Sequence, residues 1–214
     1  MRGAEHNDVV EIRKDSVPEQ AFVARERELA RLETFLARTM AGRGQVSFIA
    51  GGAGTGKSAL MAEFARRAQE THPDLVVAIG NCNAQTGLGD PYLPFREVLE
   101  LLVGDVETKL EQGAVSVENV HRLRKLAVRV GQVLIEVAPE VAGLFLPGAK
   151  IAALAGKVVA EKIGWTEKLE ELVEKEETDR IRPAVAQSRI FEQYTELLQI
   201  LAADQPLMLM LDDL

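Results

Sequence analysis

The chain has 214 residues, a formal net charge of −8 and a sequence pI near 5.1. This length predicts one domain, and the acidic balance argues against a general affinity for nucleic acid or for an anionic membrane. The single cysteine excludes an internal disulfide, and the three histidines are too scattered to predict a zinc site. The start is polar and no apolar run approaches about 20 residues, so we expect a cytoplasmic protein without a signal peptide or membrane span.

The first 20 residues are polar and charged, and we expect them to form a loose lead-in to a domain that spans residues 21–214. An amphipathic helix is predicted over residues 25–40, because its apolar side chains recur at helical spacing. Two interpretations of this helix stay open. It is either a core helix with a solvated charged face, or a helix that also covers the adenine side of a nucleotide.

A glycine-rich motif follows this helix, and the rest of the chain is organised around it. Residues 51–58 read GGAGTGKS and fit G-x-x-x-x-G-K-[ST], the P-loop pattern. The apolar run at residues 46–50 predicts a strand before the motif, and helical spacing predicts a helix from Ser58 onward. Glycines let backbone N–H groups approach a phosphate, and the helix dipole favours an anion there. The alternative is a glycine-rich turn that arose by chance.

The motif predicts a role for individual residues. We expect Lys57 to reach the β- and γ-phosphates and to act in catalysis, and Ser58 to bind Mg²⁺ through its hydroxyl. The motif residues expected to bind the nucleotide are Gly51, Gly52, Ala53, Gly54, Thr55, Gly56, Lys57, Ser58 and Ala59. The sequence therefore predicts a site for ATP and Mg²⁺.

Beyond the motif, the pattern predicts an α/β sheet and then a helical block. Residues 75–79 form a near-continuous apolar run, which is typical of a buried parallel strand. A loop follows, and Pro94 suits the first turn of the next helix. Residues 104–182 carry no strong strand pattern, so we expect a helical insertion between two strands, with Ser116 capping one of its helices. The apolar stripes of this block indicate core packing rather than a cofactor site.

A long helix and a final apolar strand complete the chain. The helix is predicted to begin at Pro183, and residues 207–214 read LMLMLDDL, an apolar strand followed by two aspartates as in a Walker B motif. Ligands of open α/β sheets bind at the carboxyl ends of the strands. We therefore expect Asp212 to hold Mg²⁺ opposite Ser58. Asp213 is expected to orient or deprotonate the attacking water, the alternative being a turn or cap residue.

Three segments support a resemblance to a known family. Residues 22–29 resemble a hydrophobic-Gly-Arg-Glu motif, with Ala24 in place of the usual glycine. The second segment is residues 91–95, which read PYLPF, and the third is the Walker B segment at residues 207–214. On these segments, residues 22–214 resemble the N-terminal part of the ATPase domain of bacterial STAND-type signalling NTPases, the AAA-like modules of LuxR-type regulators and of some multidomain adenylate cyclases and kinases. The resemblance implies that Val23 and Arg25 lie near the nucleotide.

The resemblance also implies a fold and an incomplete sheet. The fold is an α/β P-loop NTPase of the ASCE or AAA-like class, whose parallel sheet has the strand order 5-1-4-3-2. Strands 1, 2 and 3 alone are expected here, so the P-loop strand and the Walker B strand should face each other across a gap. We therefore expect the chain to be a fragment of a larger multidomain protein, with protein partners or further C-terminal domains.

Three functions are compatible with these patterns. The leading one is an ATP–Mg²⁺ binding module of a signalling or transcription-regulating ATPase. Its conformation is expected to depend on the bound nucleotide, which it hydrolyses slowly. This chain alone is expected to be inactive or very slow. The alternative is a non-catalytic interaction protein that uses its helical block, with a vestigial P-loop. A small-molecule kinase is less favoured, because Arg180 and Arg182 are the only candidates for its lid. No direct contact with nucleic acid or membrane is expected.

Overall fold

The computed structural model describes residues 25–82, 92–146 and 183–212. Within these ranges the chain forms seven α-helices and two β-strands. In chain order they are α1 (Glu26–Met40), α2 (Lys57–Thr71), β1 (Val76–Asn81), α3 (Leu93–Leu102), α4 (Glu107–Glu111), α5 (Val117–Glu136), α6 (Pro139–Phe145), α7 (Pro183–Asp204) and β2 (Leu207–Asp212). None of these described helices combines the length and the apolar character needed to cross a membrane.

The two strands form a parallel sheet, which confirms the α/β class. Val76 pairs with Leu207 at one end and Asn81 pairs with Asp212 at the other, so both strands end at the same edge. Parallel neighbours need a long crossover connection, and here the chain passes through helices α3 to α7 between β1 and β2. The predicted strand at residues 75–79 and the predicted Walker B strand are therefore present as β1 and β2, and they are direct neighbours.

The strand predicted just before the glycine-rich motif is wrong. Residues 41–56 contain neither helix nor strand, and the side chains of Val46 and Phe48 are 84% and 87% exposed. A strand needs a neighbour for its backbone N–H and C=O groups. In the part of the chain that the structure describes, β1 and β2 pair with each other and not with this segment. Apolar, β-branched residues alone do not make a strand without such a partner.

Helices α1 and α2 cover one face of the sheet. The buried leucines of α1 pack with Leu60 and Phe64 of α2 and with Val77 and Met210 of the two strands. Helix α1 begins directly after Arg25, and α2 begins one residue before Ser58, close to the predicted bounds. The amphipathic patterns of both helices thus predicted which side chains are buried.

The other helices cover the opposite face. Val76 and Ala78 of β1 belong to a second core with residues of α3, α5, α6 and α7, as the alternation of side chains along a strand requires. Its aromatic side chains are Tyr92, Phe95, Phe145 and Tyr194, and the ring centroids of the contacting pairs are 5.7–6.0 Å apart. Ser116 caps α5 as predicted, accepting a hydrogen bond from the Asn119 N–H at 3.2 Å. The sheet is therefore covered by helices on both faces.

Several predicted features lie outside the described residues. They are the lead-in, residues 22–24 of the Gly-Arg-Glu motif with Val23, residues 83–91, the second half of the predicted insertion with Arg180 and Arg182, and Asp213.

Candidate functional site

The glycine-rich loop folds tightly before α2. Gly54 and Gly56 have φ angles of 73° and 79°, in the left-handed region that favours glycine. The Thr55 hydroxyl donates to the Gly52 carbonyl at 2.9 Å. A Cβ placed on Gly51 would lie 2.8 Å from Thr55 Oγ1, so a larger residue does not fit there without movement. The glycines of the pattern thus stand where the backbone needs them.

Helix α2 begins with backbone donors that have no acceptor within the helix. Its first intrahelical hydrogen bond joins the Leu60 N–H to the Gly56 carbonyl at 3.0 Å, and no side chain caps it. The N–H groups of the four preceding residues therefore have no helical acceptor. These donors lie at the positive end of the helix dipole. The start of α2 is thus chemically suited to bind an anion.

The Lys57 side chain folds back over the loop. Its Nζ donates to the carbonyl oxygens of Gly51 and Gly52, both at 3.2 Å. Ser58 and Ala59 are exposed in the first turn of α2, and Ala53 is exposed in the loop. An ammonium group, a hydroxyl and a row of amide donors are the groups that bind phosphate and a phosphate-bound Mg²⁺. The residues present therefore fit a Mg²⁺–nucleotide.

Arg25 and Glu26 join α1 to the loop and to α2. Arg25 Nη2 donates to the carbonyl of Thr55. The Glu26 carboxylate accepts two hydrogen bonds from the guanidinium of Arg67, both 3.1 Å long. Arg67 Nε also donates to Glu63 at 2.7 Å. The start of α1 is thus attached both to the loop and to the helix that follows it.

This charged network shifts the pKa values of its carboxyl groups. Hydrogen bonds from Arg66 and then Arg67 lower the pKa of Glu63 to about 2, against the opposing effect of burial. The hydrogen bond from Arg67 also lowers the pKa of Glu26. In turn, these carboxylates raise the pKa values of both guanidinium groups. The network is therefore fully charged at neutral pH.

A groove of about 1080 Å³ lies between the loop and β2. Lys57 and Gly51 line it from the loop, and Asp212 lines it from β2. Side chains of α1 and α2 also line it, namely Leu32, Phe35, Leu36, Thr39, Met61 and Phe64. The structure thus brings Lys57 and Asp212 to one groove, whereas Ser58 is not among its lining residues.

One edge of β2 borders this groove. On the opposite edge, the Val76 N–H donates to the Pro206 carbonyl at 3.0 Å, and the Cys82 N–H donates to the Asp212 carbonyl at 2.8 Å. Backbone groups of successive strand residues point to alternate edges, so those of Leu207, Leu209 and Leu211 point away from β1. The groove therefore separates β2 from residues 45–51, the two segments between which the resemblance implies a gap.

Sequence reasoning missed Arg67 as part of this site. Its spacing from Glu63 is visible as an i, i+4 pair on a helix. Its second partner, Glu26, is 41 positions away, and no local pattern indicates that contact. The ion pair between α1 and α2 was therefore visible only in the folded chain.

The comparisons with known proteins agree with the loop and the two strands. A family model described as an AAA ATPase domain matches residues 21–214. A search of curated proteins found no significant match, and neither did a search of solved structures. The family match covers α1, the glycine-rich loop and both strands, and it indicates a nucleotide-binding ATPase module whose usual ligands are ATP and Mg²⁺. The chain belongs to the AAA ATPase domain family.

Proposed function

We propose that this chain binds ATP with Mg²⁺ and acts as a nucleotide-dependent switch that hydrolyses ATP slowly. The observation that supports this most is the position of Lys57. Its Nζ is held between two loop carbonyls, at a helix N-terminus that no side chain caps. An ammonium group in that place has weak acceptors, so a phosphate oxygen is a better partner for it.

Each site residue has a task in this proposal. Lys57 neutralises the β- and γ-phosphates, and Ser58 and Asp212 hold the metal. Bound Mg²⁺–ATP supplies the transferable phosphoryl group together with a compensating positive charge. Asp213 orients or deprotonates the water, and Val23 and Arg25 adjoin the nucleotide. The remaining loop residues, Gly51, Gly52, Ala53, Gly54, Thr55, Gly56 and Ala59, surround the phosphates.

The groove between the loop and β2 supports the proposed switch. A ligand shifts a conformational equilibrium only by its difference in affinity for the two states. Because Lys57 at the start of α2 and Asp212 at the end of β2 line the same groove, contacts that involve both residues depend on how closely β2 approaches the loop. Such contacts distinguish ATP from ADP if they reach the γ-phosphate.

The signalling role and the domain boundaries rest on the family resemblance. We propose that residues 21–214 form part of a P-loop ATPase domain of the STAND type, with a helical insertion at residues 104–182. Signal transduction and transcription regulation are the processes in which the modules it resembles take part.

The test is the Lys57→Ala variant, with Lys125→Ala as a control that removes an exposed lysine of α5. Binding of Mg²⁺ with a non-hydrolysable ATP analogue is measured by isothermal titration calorimetry. We expect Lys57→Ala to lower the affinity at least about tenfold, which corresponds to one strong charge-assisted contact. The control should stay within twofold. An affinity that Lys57→Ala leaves unchanged overturns the proposal in favour of an interaction protein with a vestigial loop.

A further inference from the structure

The contact between Arg25 and Thr55 fixes the direction of one loop amide. Arg25 Nη2 donates to the Thr55 carbonyl. In a trans peptide the C=O and the following N–H point in opposite directions, and the described peptide bonds are trans. The Gly56 N–H therefore points away from Arg25. Gly56 is the N-cap residue of α2, so this N–H is one of the donors at the helix N-terminus.

The backbone of Arg25 is itself held in place by α1. Its carbonyl accepts the first hydrogen bond of that helix, from the Leu29 N–H at 3.0 Å. Leu29 is fully buried in the core that α1 and α2 share. The start of the Arg25 side chain is thus fixed relative to the core.

The next residue ties the same point to α2. Glu26 and Arg67 form a two-point ion pair, with both hydrogen bonds 3.1 Å long. Such bidentate pairs restrict orientation as well as distance. Arg67 lies on the helix whose first residue is Lys57. The ion pair therefore limits how far the start of α1 moves relative to the glycine-rich loop.

From this arrangement we propose that Arg25 is a positioning residue of the phosphate site, and that the ion pair between Glu26 and Arg67 keeps Arg25 in place. It orients the Thr55–Gly56 peptide before any ligand arrives, so that the Gly56 N–H is ready to bind phosphate. Preorganised donors bind more tightly because less ordering is needed on binding. The inference rests on the proposed nucleotide binding, and it differs from a direct contact of Arg25 with the ligand.

The experiment compares the Arg25→Met, Glu26→Gln and Glu70→Gln variants of the 214-residue chain. Glu70→Gln is the matched control, because Glu70 pairs with Arg66 at 2.6 Å, at the end of the charged network opposite Glu26. The side chains of Glu26 and Glu70 are 67% and 62% exposed. The Gly56 amide signal is recorded by NMR without nucleotide. The affinity for Mg²⁺–ADP is then measured by calorimetry, and urea denaturation checks that each variant is folded.

We expect Arg25→Met and Glu26→Gln to displace the Gly56 signal in the nucleotide-free protein, and Glu70→Gln to leave it in place. The dissociation constant should rise about fivefold for Glu26→Gln, within the range for one exposed ion pair, and more for Arg25→Met. The control should stay within twofold. If one of the first two variants does not fold, the other decides.

Two results overturn the inference. In the first, the Gly56 signal of both variants coincides with that of Glu70→Gln. In the second, Arg25→Met weakens binding without moving that signal, which makes Arg25 a direct ligand of the nucleotide. A wild-type chain that binds no Mg²⁺–ADP contradicts the proposed function instead, and the Gly56 signal then decides the positioning role by itself.

Discussion

Asn119 on α5 binds both backbone groups of Val77 on the outer edge of β1. Its Oδ1 accepts from the Val77 N–H at 3.2 Å, and its Nδ2 donates to the Val77 carbonyl at 2.8 Å. Gln69 donates to the same Oδ1 and to the carbonyl of Leu75. A carboxamide carries one acceptor and one donor group like a peptide, so Asn119 takes the place of a neighbouring strand at this point of the edge.

The Asn119→Ala variant should lose much of the stability of the fold. Asn119 is only 4% exposed, so its removal leaves the N–H and the carbonyl of Val77 buried without these partners. An unsatisfied buried polar group costs about 1–3 kcal/mol. We expect the free energy of unfolding to fall by about 3 kcal/mol, measured by urea denaturation with far-UV circular dichroism.

The control for this prediction is Ser116→Ala, which removes the N-cap of the same helix. Loss of such a cap costs about 1 kcal/mol. If Asn119→Ala destabilises the chain no more than this control does, then Asn119 does not act as the partner of the strand edge.

Gly80 allows α3 to pack directly against β1. A Cβ placed on Gly80 would lie 2.7 Å from the carbonyl carbon of Pro94 and 2.9 Å from its Cα. These are backbone atoms, so the helix has to move away from the strand. We expect Gly80→Ala to lower the free energy of unfolding by about 1–3 kcal/mol, measured by urea denaturation.

Gly143 in α6 offers a matched control, because a Cβ placed there meets no atom within 4 Å. Alanine is the better helix former by about 1 kcal/mol, so Gly143→Ala should leave the stability unchanged or raise it. Equal stability of the two variants contradicts the packing argument for Gly80.

Most helices could be predicted because each one carries its own apolar stripe. In α7, for example, Ile190, Tyr194, Leu197 and Leu201 recur at helical spacing and are buried. A strand has no such independence, because its backbone needs a neighbour. Residues 207–212 pair with β1 and form β2, whereas residues 46–50, which are also mostly apolar, have no strand partner among the described residues. Local sequence cannot distinguish these two cases.

The contacts between distant parts of the chain could not be predicted either, although one of them had a local signal. Asn119 lies four residues before the buried Leu123 on the apolar face of α5. A polar residue in that position indicates a buried hydrogen bond, but nothing in the sequence names Val77 as its partner. The ion pair of Glu26 with Arg67 also joins distant residues. Because many charged residues occur on helix surfaces, the sequence does not indicate which of them form a pair.

The free energy of unfolding should fall at low pH, in part because Glu63 becomes protonated. Its pKa is lowered from 4.5 to about 2, first by the hydrogen bond from Arg66. A lowered pKa means that the unfolded chain binds the proton more readily. The stabilising contribution is therefore complete above pH 4.5 and is lost as the pH falls toward 2.

We expect Glu63→Gln to show a weaker loss of stability than the wild type over this pH range, because the variant lacks the titrating group. The measurement is urea denaturation at several pH values. Glu28→Gln, which removes an exposed carboxylate of α1, serves as the control for the loss of one negative charge. A Glu63→Gln curve that runs parallel to the wild-type curve contradicts the assignment.

We expect the Asp212 side chain to contribute more to Mg²⁺ binding than to binding of the nucleotide itself. If it holds Mg²⁺, Asp212→Asn should reduce the gain in ADP affinity that Mg²⁺ produces, while affinity without Mg²⁺ changes less than twofold. Asp204→Asn, which removes the half-exposed partner of Arg129, serves as the control. Calorimetry with and without Mg²⁺ gives both values. A Mg²⁺ effect that is equal in the two variants contradicts the metal role.

The groove between Asp212 and Lys57 should keep turnover slow. Catalysis of phosphoryl transfer is mostly positioning, and functional groups have to be held within about 0.5 Å of their places. Asp212 is fixed by its strand pairing with β1, and Lys57 by α2, but no described strand joins residues 45–51 to β2. We therefore expect the purified chain to release phosphate from Mg²⁺–ATP with a kcat far below about 1 s⁻¹. A kcat near that value contradicts this prediction, because it requires the two sides of the groove to be held together during the reaction.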